Sequence, residues 1–405
     1  MINYDIAIIG GGASGLAAAI AAAEAKPELK IVILEKLSRV GKKLLATGNG
    51  RCNFTNRNIN QNCYYGSCSK VYNIMENTGI EEFFQTLGVY GYADEEGRVY
   101  PLSNSASSVL DGLRLKISQF KNIDIICDFK VTSIKKEKAF RISSENNYIY
   151  ARNVIAAGGG MSQQVLGSDG SILRLLKSMG ITITALSPAL TSFKVNPEAV
   201  RSLKGVRATA IVTLYSDKKT LGTEKGEIQF SDGIISGICI FNLSCLCSNR
   251  KNLCLGVDFL PDINFTELVD ILKNIRLTRK DVAIEDFLTG LLHKRIGMFI
   301  LKSVTDKALT DKVSKLNEAE LKKIAAKIKN CVYDINGLSG FEKSQVTSGG
   351  VILSEINDRL ESNKIKGLYF CGELLDIIGK CGGYNLAFAF ASGMHAGKSC
   401  AEDLK

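Results

Sequence analysis

The feature that most limits how this chain can fold lies in its first 35 residues. An apolar run, Tyr4 to Ile9, leads into Gly10-x-Gly12-x-x-Gly15. An alanine-rich stretch follows from Ala13 to about Ala25 and stops before Pro27, and a second run, Lys30 to Leu34, ends on Glu35. The runs read as buried strands and the stretch between them as a helix, which makes a β-α-β unit. Each glycine has its own task. Gly10 permits the tight turn, Gly12 lets a pyrophosphate approach the backbone, and Gly15 lets helix and strand pack closely. The helix N-terminus then faces the negative charge. Glu35, 20 residues after Gly15, stands where an acid accepts hydrogen bonds from ribose hydroxyls.

Beyond this unit come two basic, glycine-rich patches at 41–43 and 48–53, then helical segments near 69–87 and 105–120. Strand-like runs at 123–134 and 139–151 lead into VIAAGGG at 154–160, another strand that ends in glycine, as expected at the ligand edge of an open α/β sheet. From about 191 the texture changes to short β-rich stretches such as Arg207 to Tyr215 and Glu227 to Phe230, and from about 264 to helices. One of these starts at Asn317, whose cap is paired with Glu320, and carries Leu321, Ile324 and Ile328 on one side. From about 345 the α/β texture returns. The expected organisation is a first dinucleotide-binding segment at 1–190, a β-rich insert at 191–262, a helical insert at 263–335 and a C-terminal return at 336–405.

Bulk properties narrow the class. A chain of 405 residues with 45% hydrophobic and 23% charged residues suits a multidomain globular protein. The formal net charge of +10 admits an anionic partner. The lysines of the helix at 317–329 are spread around its outer side, however, so they read as a solvated face and a nucleic-acid partner is not expected. The start, MINYDIAIIG, lacks the basic stretch, apolar core and small-residue cleavage site of a secretory signal. With 12 cysteines this points to the reducing cytosol. Cys245 and Cys247 are two apart, Cys63 and Cys68 five apart, and His293 and His395 are the only histidines, so no metal site is expected. No apolar run approaches the roughly 18 residues that span a bilayer, and no membrane association is expected.

The fingerprint alone does not separate FAD from NAD. The distant end of the chain does: Gly372-Glu373 follows the apolar strand Leu368 to Cys371, and Gly382-Gly383-Tyr384-Asn385 opens a helix from about Leu386. Such a two-part site suits a long ligand, with ADP at one end and, at the other, an acid for a polyol chain and a helix N-terminus for a flavin ring. Nicotinamide dehydrogenases with one Rossmann domain need no such return.

These segments resemble the BaiN/RdsA family of NAD(P)/FAD-dependent oxidoreductases, also described as aminoacetone oxidase-like flavoproteins. The resemblance covers nearly the whole chain and rests on GGGASG (10–15), GKKLLATGNGRCNFTN (41–56), VIAAGGG (154–160), SPALTSFKV (187–195), GEIQFSDGIISG (226–237), VTSGGV (346–351) and GLYFCGELLDIIGKCGGYNLAFAFASGMHAG (367–397). It implies an α/β fold, a Rossmann-type FAD-binding domain split by an insert with a β-rich part and a helical part; since binding sites favour domain interfaces, the insert is expected to cover the ring and form the substrate cleft. It also implies FAD contacts from Gly10, Gly12, Ala13, Ser14, Glu35 and Lys36 on the adenosine side. Lys43, Arg51, Cys52 and Asn53 would continue towards the pyrophosphate and ring, Val131 would line the adenine pocket, and Ala157 and Gly158 would close the nucleotide edge. Gly372, Glu373, Asp376 and then Gly383, Tyr384, Asn385 and Leu386 would hold ribityl and isoalloxazine.

The implied activity is FAD-dependent reduction of a small organic acceptor, a carbon–carbon double bond among the candidates, with NAD(P)H as a transient electron donor. An oxygen-using amine or amino-ketone oxidase and a flavin-dependent tRNA-acting or nucleic-acid-binding protein remain as alternatives. No second dinucleotide fingerprint is present. Family members commonly carry a Thr-His pair in the GEIQF segment, where this chain has Ser231-Asp232, so any role of that histidine is absent or reassigned. A disulfide relay through Cys52 or Cys381 is not expected, because Cys52 has no cysteine a few residues away. No catalytic acid or base is named by the sequence.

Overall fold

The computed structural model describes residues 4–65, 74–75 and 78–404; part of the expected helix at 69–87, and Cys68, fall on residues outside them. The chain forms two compact units, Met1–Ala189 with Phe341–Lys405, and Leu190–Gly340.

The first unit is built on strands β1 (Tyr4–Ile9), β2 (Ile31–Leu34), β3 (Ile123–Ile126), β4 (Ser133–Lys136), β5 (Phe140–Ser143) and β6 (Tyr148–Ala156), with helices α1 (Ala13–Ala25) and α2 (Ala106–Ser118). The sheet order is β3-β2-β1-β6-β5-β4, parallel from β3 to β6 and antiparallel beyond. The sequence IVIL of β2 is buried throughout, the mark of a parallel strand covered on both faces. The run at 123–134 is one strand in the sequence reading but two here. Asp128 takes a left-handed backbone (φ 54°) between them, and its N–H reaches back to the carbonyl of Leu37.

The second unit contains a closed antiparallel barrel. Its strands are β7 (Phe193–Val195), β8 (Arg207–Ser216), β9 (Lys219–Ser231), β10 (Ile234–Ser236), β11 (Leu253–Asp258) and β12 (Cys331–Leu338), in the order β7-β10-β9-β8-β11-β12. Helix α3 (Ile238–Ser244) follows β10, and α4 (Phe265–Thr278), α5 (Lys294–Val304) and α6 (Glu318–Lys329) lie between β11 and β12. The helical stretch therefore sits between two paired strands, and one core joins Phe230 and Leu255 of the barrel to Leu321 and Ile324 of α6. Helix α6 starts with the capping box read from the sequence: Asn317 Oδ1 accepts the Glu320 N–H (2.9 Å) and Glu320 Oε2 accepts the Asn317 N–H (2.8 Å).

The chain then returns to the first unit with β13 (Leu368–Phe370), parallel to the end of β6, and α7 (Tyr384–Glu402). Helix α7 packs along α1 through small residues. A Cβ added to Gly393 would strike the backbone of Ser14, and one added to Gly397 the carbonyl of Ala18. Gly397→Ala sets two effects against each other. Helix propensity favours alanine by about 1 kcal/mol, but forcing a methyl into a closed backbone contact costs about 1–3 kcal/mol. The contact wins, so the variant should unfold at lower urea than the native protein with an unchanged slope; a raised midpoint would contradict the close approach.

Candidate FAD site

Four parallel strands deliver their carboxyl ends to the same edge of the sheet. Gly10 follows β1, Glu35 follows β2, Ala157 and Gly158 follow β6, and Gly372 and Glu373 come shortly after β13. This is the edge at which open α/β sheets bind ligands. Gly10 has a φ of 112°, and a Cβ there would collide with the carbonyl of Ala157. Gly15 faces the Gly10 carbonyl more closely still. Around Gly12, by contrast, a Cβ would meet nothing within 4 Å. That glycine leaves open space beside the first turn of α1, which is the room a pyrophosphate needs. Ala13 and Ser14 form that turn.

Glu35 is buried, and both its oxygens are oriented by backbone: Oε2 accepts the Gly11 N–H and Oε1 the Leu37 N–H, each at 2.9 Å. Each oxygen keeps a lone pair for a ligand hydroxyl. The Phe129 N–H bonds the Glu35 carbonyl, which brings the buried Val131 to the same end of β2. Lys36 pairs with Asp169 at 2.7 Å. Burial pushes the Asp169 carboxyl up, but the bonds from Lys36 and Ser171 outweigh it and hold the group at about 2.

The C-terminal return is tied to this edge by polar contacts that the sequence did not disclose. Lys43 pairs with Glu373 at 2.6 Å, half-buried on both sides, so the patch at 41–43 meets a residue 330 positions away. Glu373 Oε1 also accepts the Thr347 N–H (2.9 Å). Thr347 Oγ1 in turn accepts the N–H groups of Met161 (2.7 Å) and Ser162 (3.0 Å), while the buried hydroxyls of Ser162 and Ser344 lie 2.6 Å apart. Thr347 belongs to the VTSGGV segment, a signal that was visible without its role. Asp376 accepts from Thr184 (2.9 Å), and the Asn385 amide bonds both the N–H and the carbonyl of Gly379 (2.8 Å each). Asp376 and Asn385 thus shape the loop that precedes α7. Gly372 is left-handed (φ 70°), and a Cβ there would collide with the Ser14 hydroxyl, so the C-terminal return closely approaches the first turn of α1.

Residues 48–53 form a tightly wound turn. Gly48, Asn49, Gly50 and Cys52 all have positive φ, and the Cys52 N–H closes the turn on the Thr47 carbonyl. Arg51 is exposed and stacks its guanidinium over Tyr100 at 4.5 Å. Asn53 is buried with an unpartnered Oδ1 beside Gly383, the uncapped start of α7. The next residues of α7, Tyr384 and Leu386, are half-buried; burial, and then the thiol of Cys63, raises the Tyr384 phenol above its ordinary value. The remaining sequence candidates are structural. Cys371 is fully buried with Sγ near the Ala156 carbonyl, His395 bonds the Asp358 carbonyl (2.7 Å), and in the second unit Asp232 pairs with Lys204 (3.0 Å) on the surface.

The chain matches the family described as HI0933-like protein Rossmann domain over residues 4–399. It belongs to that family. Among its relatives, a protein of Clostridium scindens named 3-dehydro-bile acid delta(4,6)-reductase is 36% identical, with 98% of this chain and 99% of the relative aligned. A protein of Escherichia coli named ribosomal RNA dihydrouridine synthase is 24% identical over 100% of this chain and 98% of its own. In fold, the chain is similar to a quinol-fumarate reductase structure (TM-score 0.52, 15% identity, 98% of this chain and 71% of that one). The protein is an FAD-dependent oxidoreductase of the Rossmann type. The residues fit that cofactor: open space at Gly12, a backbone-oriented acid at Glu35, and an unsatisfied amide at an uncapped helix start. Among the described residues no helix is long and apolar enough to cross a membrane. The relatives named for ribosomal RNA leave the expectation against a nucleic-acid partner without support.

Two outcomes follow from this geometry. Glu35→Ala should weaken FAD binding by about 1–3 kcal/mol, read by quenching of flavin fluorescence on titrating the apoprotein; unchanged affinity would remove Glu35 from the site. Burial, against a weaker opposing bond to Thr47, pushes the Cys52 thiol up to about 12. At pH 8 only about one molecule in ten thousand carries the thiolate. Mass mapping after iodoacetamide treatment of the folded protein should find Cys52 unmodified, and rapid alkylation would reopen a redox role for it.

Proposed function

We propose that this protein reduces a carbon–carbon double bond conjugated to a carbonyl in a small organic acceptor, with NAD(P)H as the electron donor. The observation that carries the reading is the end-to-end relationship, at 36% identity, with a protein named as a bile acid delta(4,6)-reductase. Conjugation makes such a bond reducible. The carbonyl withdraws charge from the β carbon, a hydride adds there, the electron pair moves onto the carbonyl oxygen, and a proton completes the saturated product. Bound FAD would supply hydride chemistry here, with the nicotinamide as its source of electrons.

In this reading the chain binds and orients. Gly10, Gly12, Ala13, Ser14 and Gly15 receive the pyrophosphate at the start of α1, while Glu35 and Lys36, with Val131 and the 157–158 edge, hold the adenosine. Glu373, oriented by Lys43 and Thr347, accepts from ribityl hydroxyls. Asp376, Asn385 and Gly372 shape the backbone around them. Arg51, Cys52, Asn53 and the first turn of α7 from Gly383 surround the ring. With one fingerprint in the chain, NAD(P)H docks transiently against the flavin. The cytosol is the proposed compartment, where buried thiols such as those of Cys52, Cys371 and Cys400 stay reduced.

A second reading, reduction of a uracil base in RNA, is favoured by the relative named ribosomal RNA dihydrouridine synthase. The uracil double bond is also conjugated to a carbonyl, so the two readings differ in the substrate carrier and not in the chemistry. One anaerobic experiment separates them. NADH or NADPH should bleach the flavin bands, and a conjugated steroid dienone should restore them with a product about two mass units heavier. Restoration by ribosomal RNA alone would establish the second reading. Flavin that no nicotinamide bleaches would overturn the donor assignment.

A further inference from the structure

A buried amide without a partner stands at the start of the longest helix described. Asn53 is 8% exposed, and its Oδ1 meets no donor among the described residues. Its neighbourhood is fixed rather than loose. The Asn56 amide donates to the Gly382 carbonyl (2.9 Å), the Tyr64 hydroxyl to the Tyr384 carbonyl (3.1 Å), and the following Phe54 N–H to Val99. Gly383, at φ 96°, is the residue before the first turn of the 19-residue helix α7, and no side chain caps that helix. A Cβ at Gly383 would lie 2.6 Å from Asn53 Oδ1, so glycine is what lets the amide reach the helix start.

An acceptor and a set of helix N–H donors therefore adjoin without bonding each other. Leaving a buried amide oxygen unsatisfied is costly, and the uncapped helix start attracts electron-rich groups. One ligand edge answers both, a cyclic imide, whose two carbonyls flank an N–H. We propose that Asn53 and the start of α7 together read the imide edge of the flavin, with Asn53 Oδ1 accepting from the ring N3–H and the helix N–H groups facing an adjacent carbonyl. The inference rests on the placement of the ring at α7 proposed above. It assigns Asn53 a recognition task that the glycines, which supply space, do not perform. A uracil base presents the same edge, so the occupant must be distinguished by experiment.

The test titrates FAD-free protein with FAD and with N3-methyl-FAD, in which the imide N–H is blocked, following flavin fluorescence. The native protein should bind the methylated cofactor about tenfold or more weakly than FAD. Asn53→Ala should bind FAD about tenfold more weakly than native and no longer discriminate between the two. Asn53→Asp, which keeps an acceptor, should retain the discrimination. Equal binding of both flavins by the native protein would overturn the proposal whether or not any variant folds, and so would discrimination that survives in Asn53→Ala. A third arm measures uridine binding by equilibrium dialysis. Asn53-dependent uridine binding together with indifference to N3-methylation would assign the imide edge to a pyrimidine substrate and remove it from the flavin. No nicotinamide or acceptor enters the titration, so failure of the proposed reaction leaves it unaffected. Glu35→Ala serves as the control that reports on the adenosine end alone.

Discussion

The close approach of α1 and α7 is the contact on which the rest of the first unit depends. It joins residues 13–25 to residues 384–402, and it is possible only because Gly393 and Gly397 place bare backbone against Ser14 and Ala18. A helix pair held this tightly gains dispersion along its whole length. It also sets the register of everything attached to it. Gly372 comes to lie beside the Ser14 hydroxyl, so the first turn of α1 and the turn after β13 meet although they lie more than 350 residues apart in sequence.

Polar contacts then refine what apolar packing has brought together. Glu373 receives a charge-assisted bond from Lys43 and a backbone N–H from Thr347, and Thr347 is itself held by the loop that follows β6. Three separate segments thus meet on one carboxylate. Such networks orient more than they stabilise, since the desolvation of a half-buried ion pair offsets much of its attraction. Orientation is what a cofactor site requires: an acceptor that already points along the direction of the incoming hydroxyl loses little freedom on binding. The same holds for Glu35, whose two oxygens are fixed by Gly11 and Leu37. Asn53 differs from both, because its amide is placed by the turn at 48–53 and the start of α7 and yet is bonded by neither.

Much of this was legible without coordinates. The β-α-β start was visible because glycine spacing and apolar runs are local properties, and α1 spans the residues its composition indicated. The Asn317–Glu320 cap was readable for the same reason. The barrel was not: its closure depends on β12 pairing with both β7 and β11, and a strand after three helices reads as the start of something new. The partners of Lys43, Asp376 and Thr347 were hidden because those contacts span 330, 192 and 185 residues, and sequence pattern carries no information on which distant polar groups will meet.

The sequence by itself determined the β-α-β unit, the acid at the end of β2 and the glycines that keep the ligand edge bare, because each follows from steric and hydrogen-bonding rules acting over a few residues. Only the tertiary structure decided that Lys43 orients Glu373 and that Cys52 is buried out of reach of thiol chemistry. It also decided that Asn53 presents an unused acceptor to an uncapped helix. Those properties depend on burial and on long-range approach, and neither exists until the strands and helices have packed.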